Sequence, residues 1–240
     1  MIRKITLSIQ LGILLLATLG FSQNNTDVQY RFSPSIDYKI NKKLKIAFKY
    51  RYELYKDLDA FKSNFFQIAT EYELTKKIEL ETGYRFTTSF IEDTHRIFIG
   101  LKYSHKLKDF TLSLATRYQF STGSFDQDYM QYYKNPSNMF REKISIEYNV
   151  PHSKATLYFS PELFLKYKNE SIDFNRMRYT IGGDYKLKYG NTIGISMFYD
   201  DKVNPQKADR VVFSTKYNLS IDALIKKIKK NKTKAKKKLL

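Results

Sequence analysis

From Asp27 onward the chain alternates apolar and polar residues over long stretches. Period-two alternation puts every second side chain on one face of an extended strand, so each stretch predicts a β-strand with one apolar and one polar surface. Residues 27–40 carry Val28, Tyr30, Phe32, Ile36, Tyr38 and Ile40 on one face and Gln29, Arg31, Ser33, Ser35, Asp37 and Lys39 on the other. The pattern returns at 44–55, 64–74, 78–90, 96–104, 110–121, 140–150, 155–167, 176–187, 192–200 and 210–219. Globular strands usually have about five or six residues, whereas about 9–11 cross a bilayer when tilted, and most of these stretches are of the longer kind. Short connections at 41–43, 75–77, 105–109, 151–154 and 188–191 alternate with longer ones at 56–63, 122–139, 168–175 and 201–209, with 91–95 between them in length. The expected fold is all-β, an up-and-down antiparallel transmembrane β-barrel of about 10–12 strands with one tight rim and one elaborated rim. The parity does not close. Single-chain bacterial barrels have even strand numbers, and the chain offers eleven stretches. Either the segment before Pro34 crosses differently, or one stretch is two strands or none, or the first strand sits apart from the closed sheet.

Alternation alone does not say whether the apolar face meets lipid or a soluble core. Composition narrows the choice. Aromatics make up 16% of the 240 residues, with 20 Tyr and 18 Phe, which excludes a disordered chain. There is no Cys, hence no disulfide, thiolate metal site or cysteine nucleophile. Aromatics fall near strand ends (Tyr38, Tyr72, Tyr103, Tyr148, Tyr167, Tyr185, Tyr199 and Tyr217 among them), as in interfacial girdles. Residues 1–22 have the form of a secretory signal peptide: Arg3 and Lys4, an apolar run from Ile5 to Leu19, then Gly20-Phe21-Ser22 before a cut. Residues 23–220 are the expected barrel and 221–240 a Lys-rich periplasmic tail. Export sets aside nucleic acid as a partner despite a formal charge of +18, and favours the outer membrane of a Gram-negative envelope.

Several short runs carry a family resemblance: Gly83-Tyr84-Arg85-Phe86, Arg117-Tyr118-Gln119, Phe140-Arg141-Glu142-Lys143-Ile144, Pro161-Glu162-Leu163-Phe164 and Arg176-Met177-Arg178-Tyr179-Thr180-Ile181-Gly182. In order and spacing the chain resembles an outer-membrane family of Bacteroidota, the domain-of-unknown-function family numbered 2490. The resemblance implies an outer-membrane barrel and brings no activity or catalytic residue.

The polar face holds the candidate chemistry. Arg51, Glu71, Glu81, Arg85, Arg96, Arg117, Arg141, Glu147, Glu162 and Arg178 recur on it strand after strand. In a barrel they form a charge ladder in the lumen, either packed as ion pairs or lining a narrow polar path whose arginine surplus selects anions or polar solutes. Arg85 and Arg117 are expected to meet Glu71, Glu81 or Glu162. For catalysis, His95 beside Ser89 and Thr94 is the best local grouping, yet there is no G-x-S-x-G turn and no pair of His at metal spacing. Glu92, Asp93, Asp126, Asp128, Asp173, Asp200, Asp201 and Asp209 are expected as solvated charge on the elaborated rim. No catalysis, cofactor or metal is assigned. A barrel enzyme acting at the outer rim and a soluble exported ligand-binding barrel remain as alternatives. The tail places nine Lys, from Lys226 to Lys238, against Asp222, which suits contact with anionic lipid headgroups.

Overall fold

The computed structural model describes residues 26–126, 136–168, 171–202, 209–222 and 225. Among them run β1 (Asp27–Lys39), β2 (Leu44–Tyr55), β3 (Ala60–Glu73), β4 (Ile78–Thr88), β5 (Glu92–Leu107), β6 (Phe110–Asp126), β7 (Ser137–Asn149), β8 (Ala155–Lys168), β9 (Ser171–Lys186), β10 (Thr192–Lys202) and β11 (Arg210–Ser220). Each strand pairs antiparallel with the next, and the sheet closes into a barrel. The expected signal segment lies outside the described residues, as does the tail from Lys226 onward.

The odd strand count resolves in a way the sequence reading did not consider. β1 and β11 pair parallel, in unbroken register from Asp27↔Arg210 to Asp37↔Ser220. With that pair the barrel closes on eleven strands, and neither a missing strand nor a detached one is needed. β1 runs from the loop rim to the turn rim, and so does β11, so the barrel begins and ends on opposite rims.

The elaborated rim is also less looped than expected. β2 and β3 are joined by residues 56–59, because β3 begins at Ala60. Likewise β6 extends to Asp126, β8 to Lys168, and β9 starts at Ser171. Three register shifts lie here, between Glu53 and Leu54, Asp93 and Thr94, and Phe164 and Leu165. Each inserts one extra residue (Lys62, Ser124 and Asn175) into the neighbouring strand. A bulge shifts the side-chain parity by one, so alternation breaks there while the strand continues.

The outward face is apolar. Ile68, Ile97, Ile99, Leu114, Ile144, Ile181 and Ile195 are among its exposed side chains. Tyrosines bound this belt on both rims. On β1 the outward column is Tyr30, Phe32, Pro34, Ile36 and Tyr38. Tyr30 and Tyr38 are about 26 Å apart along the strand, or roughly 20 Å along a barrel axis at a tilt of about 40°, near the roughly 25 Å apolar band of outer-membrane barrels.

Mid-belt positions should resist charge. Ile99→Arg should destabilise the folded barrel by roughly 2–4 kcal/mol, the cost of a cation facing hydrocarbon near the midplane. Urea titration of the protein refolded into lipid vesicles would measure it, and an unchanged midpoint would mean that this face does not meet lipid.

Candidate functional site

The inward face builds one continuous polar cavity of about 1090 Å³, lined from Ser137 and Glu92 near the loop rim to Asp37 and Asn218 near the turn rim. Every member of the predicted charge ladder lines it: Arg51, Glu71, Glu81, Arg85, Arg96, Arg117, Arg141, Glu147, Glu162 and Arg178. Strand register explains why. Alternation puts these residues on one face, and antiparallel pairing sets them beside one another.

The arginines gather around buried carboxylates. Asp200 is fully buried; Arg178 donates to it at 2.5 and 2.9 Å, and Arg210 donates at 2.7 Å, while Arg176 stands 3.8 Å away. Arg178, Asp200 and Arg210 lie directly opposite one another on β9, β10 and β11. Asp200 is therefore the centre of an ion cluster in the wall and not the solvated rim charge expected from the sequence. Its strand continues two residues past it and turns its side chain inward. Glu162 takes Arg141 at 2.8 and 2.5 Å, with Arg178 at 3.9 Å. Glu53 gathers Arg31 at 2.9 Å, Arg51 at 3.2 Å and Lys62 at 3.8 Å. Arg117 pairs with Glu81, as expected. Arg85 does not meet a carboxylate; it donates to Gln67 Oε1 at 2.9 and 2.5 Å. Toward the turn rim the pairs are built from lysine: Lys45 with Glu71, and Lys216 with Asp184 at 2.8 Å.

Four phenylalanines are part of the same wall, and the sequence reading did not assign them to it. Phe65, Phe98, Phe164 and Phe198 are buried on the polar face. Arg51 and Arg85 lie over Phe65 at 4.5 and 4.1 Å, and Arg117 over Phe98 at 4.7 Å. Arg141 and Arg176 flank Phe164 at 4.8 and 4.0 Å. Arg31 and Arg178 cover Phe198 at 4.6 and 4.1 Å. A guanidinium stacked on a ring keeps its charge satisfied by the π face while its edge stays free to bond. Gly83 makes room for one of these rings, since a Cβ there would meet Phe98 at 2.6 Å and the Ile68 carbonyl at 2.5 Å. The sequence signal for such rings is a Phe in the polar register, as Phe98 is between Arg96 and Gly100.

The catalytic candidate takes a different shape. His95 faces outward, and the Tyr84 hydroxyl lies 2.6 Å from its Nδ1. Ser89 is committed to its own loop, where Oγ donates to the Glu92 carbonyl and accepts from the amides of Ile91 and Glu92. Thr94 lines the lumen. The three do not converge. Asp209, another of the rim acids, accepts from the Tyr199 hydroxyl at 2.5 Å and from the Lys202 amide at 3.0 Å. Asp128 lies outside the described residues. Among the described residues no three His, Asp or Glu side chains gather as a metal site.

The family described as "Protein of unknown function (DUF2490)" matches residues 28–212, from the first strand into the last. The chain belongs to this family. Among solved structures, this DUF2490 barrel is similar to the NanC porin, with a TM-score of 0.49 and 12% identity over 77% of this chain and 93% of that one. It is similar also to the KdgM porin, with a TM-score of 0.45 and 14% identity over 73% and 91% of the two chains. No curated protein matches the chain.

Asp200→Asn should destabilise this DUF2490 barrel by about 3–5 kcal/mol, because it leaves buried guanidiniums without their counter-charge. Arg210→Gln should cost less, since Arg178 still neutralises Asp200. Equilibrium urea unfolding of both variants in the same detergent checks the order.

Proposed function

We propose that the protein is an outer-membrane β-barrel whose lumen is a narrow polar path favouring small anions, with no catalysis. The observation that carries this reading is the charge of the lumen. Among the described residues fourteen Lys and Arg side chains line it against eight Asp and Glu, and adding the buried Asp200 still leaves a surplus of five cations. All the arginines except Arg117 sit in the half of their strand nearer the loop rim. A ring of fixed positive charge in a narrow, low-dielectric passage attracts anions and excludes cations. The outer-membrane location rests on the apolar belt between two tyrosine girdles, which suits hydrocarbon on the outside and water within.

The tail belongs to the same reading. β11 ends on the turn rim, where Asp222 accepts from the Lys39 amide at 2.7 Å, which supports reading the Lys-rich segment as a tail on that side. Short turns face the periplasm in outer-membrane barrels, and the tail would meet anionic headgroups of the inner leaflet there, at up to about 1 kcal/mol per Lys near the surface.

In planar bilayers the protein should conduct, with a reversal potential in a KCl gradient that reports chloride over potassium. Absence of conductance at every voltage would mean a plugged barrel, and cation preference would overturn the charge argument. Recovery of the mature protein as a detergent-free monomer would overturn the membrane reading altogether. Deleting residues 226–240 should leave folding intact and weaken salt-sensitive binding to anionic vesicles. Loss of insertion on that deletion would place the tail within the fold.

A further inference from the structure

The arginines of the lumen are not equivalent. Arg31, Arg51, Arg117, Arg141, Arg176, Arg178 and Arg210 each come within salt-bridge distance of a carboxylate. Among the described residues, Arg85 and Arg96 do not. Arg85 is held by Gln67, and Arg96 donates to Ser121 Oγ at 2.8 Å. These two arginines are also direct neighbours, paired in register across β4 and β5. The row they form runs Gln67, Arg85, Arg96, Ser121, with a neutral acceptor at each end.

Like charges directly opposite on neighbouring strands repel. The surroundings do not relieve this pair. The charges acting on Arg85 most strongly are Arg51, Arg96, Arg141 and Arg117, all positive, and those acting on Arg96 are Arg117 and Arg51. Both side chains face the cavity. Arg85 is fixed from behind by the Phe65 ring and from the side by Gln67, so it is positioned without being neutralised. The two guanidiniums lean on their outer neighbours, Arg85 on Gln67 and Arg96 on Ser121, so an oxyanion entering the lumen between them can accept from both.

We propose that Arg85 and Arg96 form an oxyanion-binding subsite in the lumen, taking a carboxylate, sulfate or phosphate group. The subsite deepens the anion-path reading and rests on it for its role, since a solute crossing the lumen passes the pair. The chemistry supplied is a bidentate clamp of two fixed cations, which favours a group with two or more charged oxygens over a spherical halide.

Inorganic phosphate serves as the probe, with chloride at matched ionic strength as the comparison, on the protein folded in detergent. Phosphate should raise the thermal midpoint of the wild-type barrel, and chloride should not. In Arg85→Gln and Arg96→Gln the midpoint without phosphate should rise, because half of a like-charged pair is gone, and the phosphate response should disappear. Apparent phosphate affinity from titration should fall at least about tenfold in either variant, the scale of losing one charge-assisted contact. In bilayers, phosphate should reduce chloride conductance of the wild type and not of the variants. An equal response to phosphate in wild type and both variants overturns the subsite, even if the pore conducts. Binding that depends on both arginines in a barrel that never conducts keeps the subsite and overturns the path. A variant that loses its heat-modifiable gel shift has failed to fold, and the other single variant then decides.

Discussion

Every N–H and C=O on the edge of a sheet needs a partner, and closing the sheet into a barrel gives one to each edge strand. Closure is the condition on which the rest of this barrel depends. Ten antiparallel pairs leave β1 and β11 as free edges, and both run from the loop rim to the turn rim, so they can meet only in parallel. The seam carries an unbroken register of paired residues along nearly the full length of both strands. It also brings the polar ends of β1 and β11 together: Ser35 donates to Asn218 Oδ1 at 2.8 Å, and the Tyr30 hydroxyl lies 2.6 Å from Thr215 Oγ1. Once the sheet is closed, one face is committed outward and the other inward, and the lumen charge is confined.

Confinement is what gives the inward face its character. A charge on an open sheet would be hydrated, whereas here it must find a counter-ion, a neutral acceptor or an aromatic face. The wall uses all three. Glu53 and Asp200 each gather three cations, two arginines and Lys62 at Glu53 and three arginines at Asp200, and four buried rings support guanidiniums that carboxylates only partly neutralise. Lysines serve the pairs nearest the turn rim, while the planar arginines, which stack and bond at once, occupy the other half, Arg117 excepted.

The strands, their faces and the inward set of charges were legible in the sequence because each strand separates two media, and that demands alternation. What was not legible has physical causes. Beyond the apolar belt the outward face is no longer apolar, so the alternation fades, and the bulges at Lys62, Ser124 and Asn175 invert the parity just there; β3, β6 and β9 therefore extended past their predicted ends. The parallel seam had no signal, since pairing direction does not change the pattern within a strand. Phe98 and Phe164 broke the binary code by being apolar in the polar register, and Asp200 read as a loop residue because its burial depends on Arg178 and Arg210, set on neighbouring strands. That Arg85 would take Gln67 and not a carboxylate was fixed by register alone.

The parallel seam also bears on ancestry. Meander barrels grow or shrink by whole hairpins, and a hairpin adds or removes two strands, so parity is inherited unchanged. No number of hairpin duplications turns an even barrel into one of eleven strands. An odd barrel differs from an even one by a single strand, and here that difference is expressed at the β1–β11 junction as a parallel pair. Pairing direction at closure is therefore set by strand parity alone, whatever the sequence of the two strands that meet there.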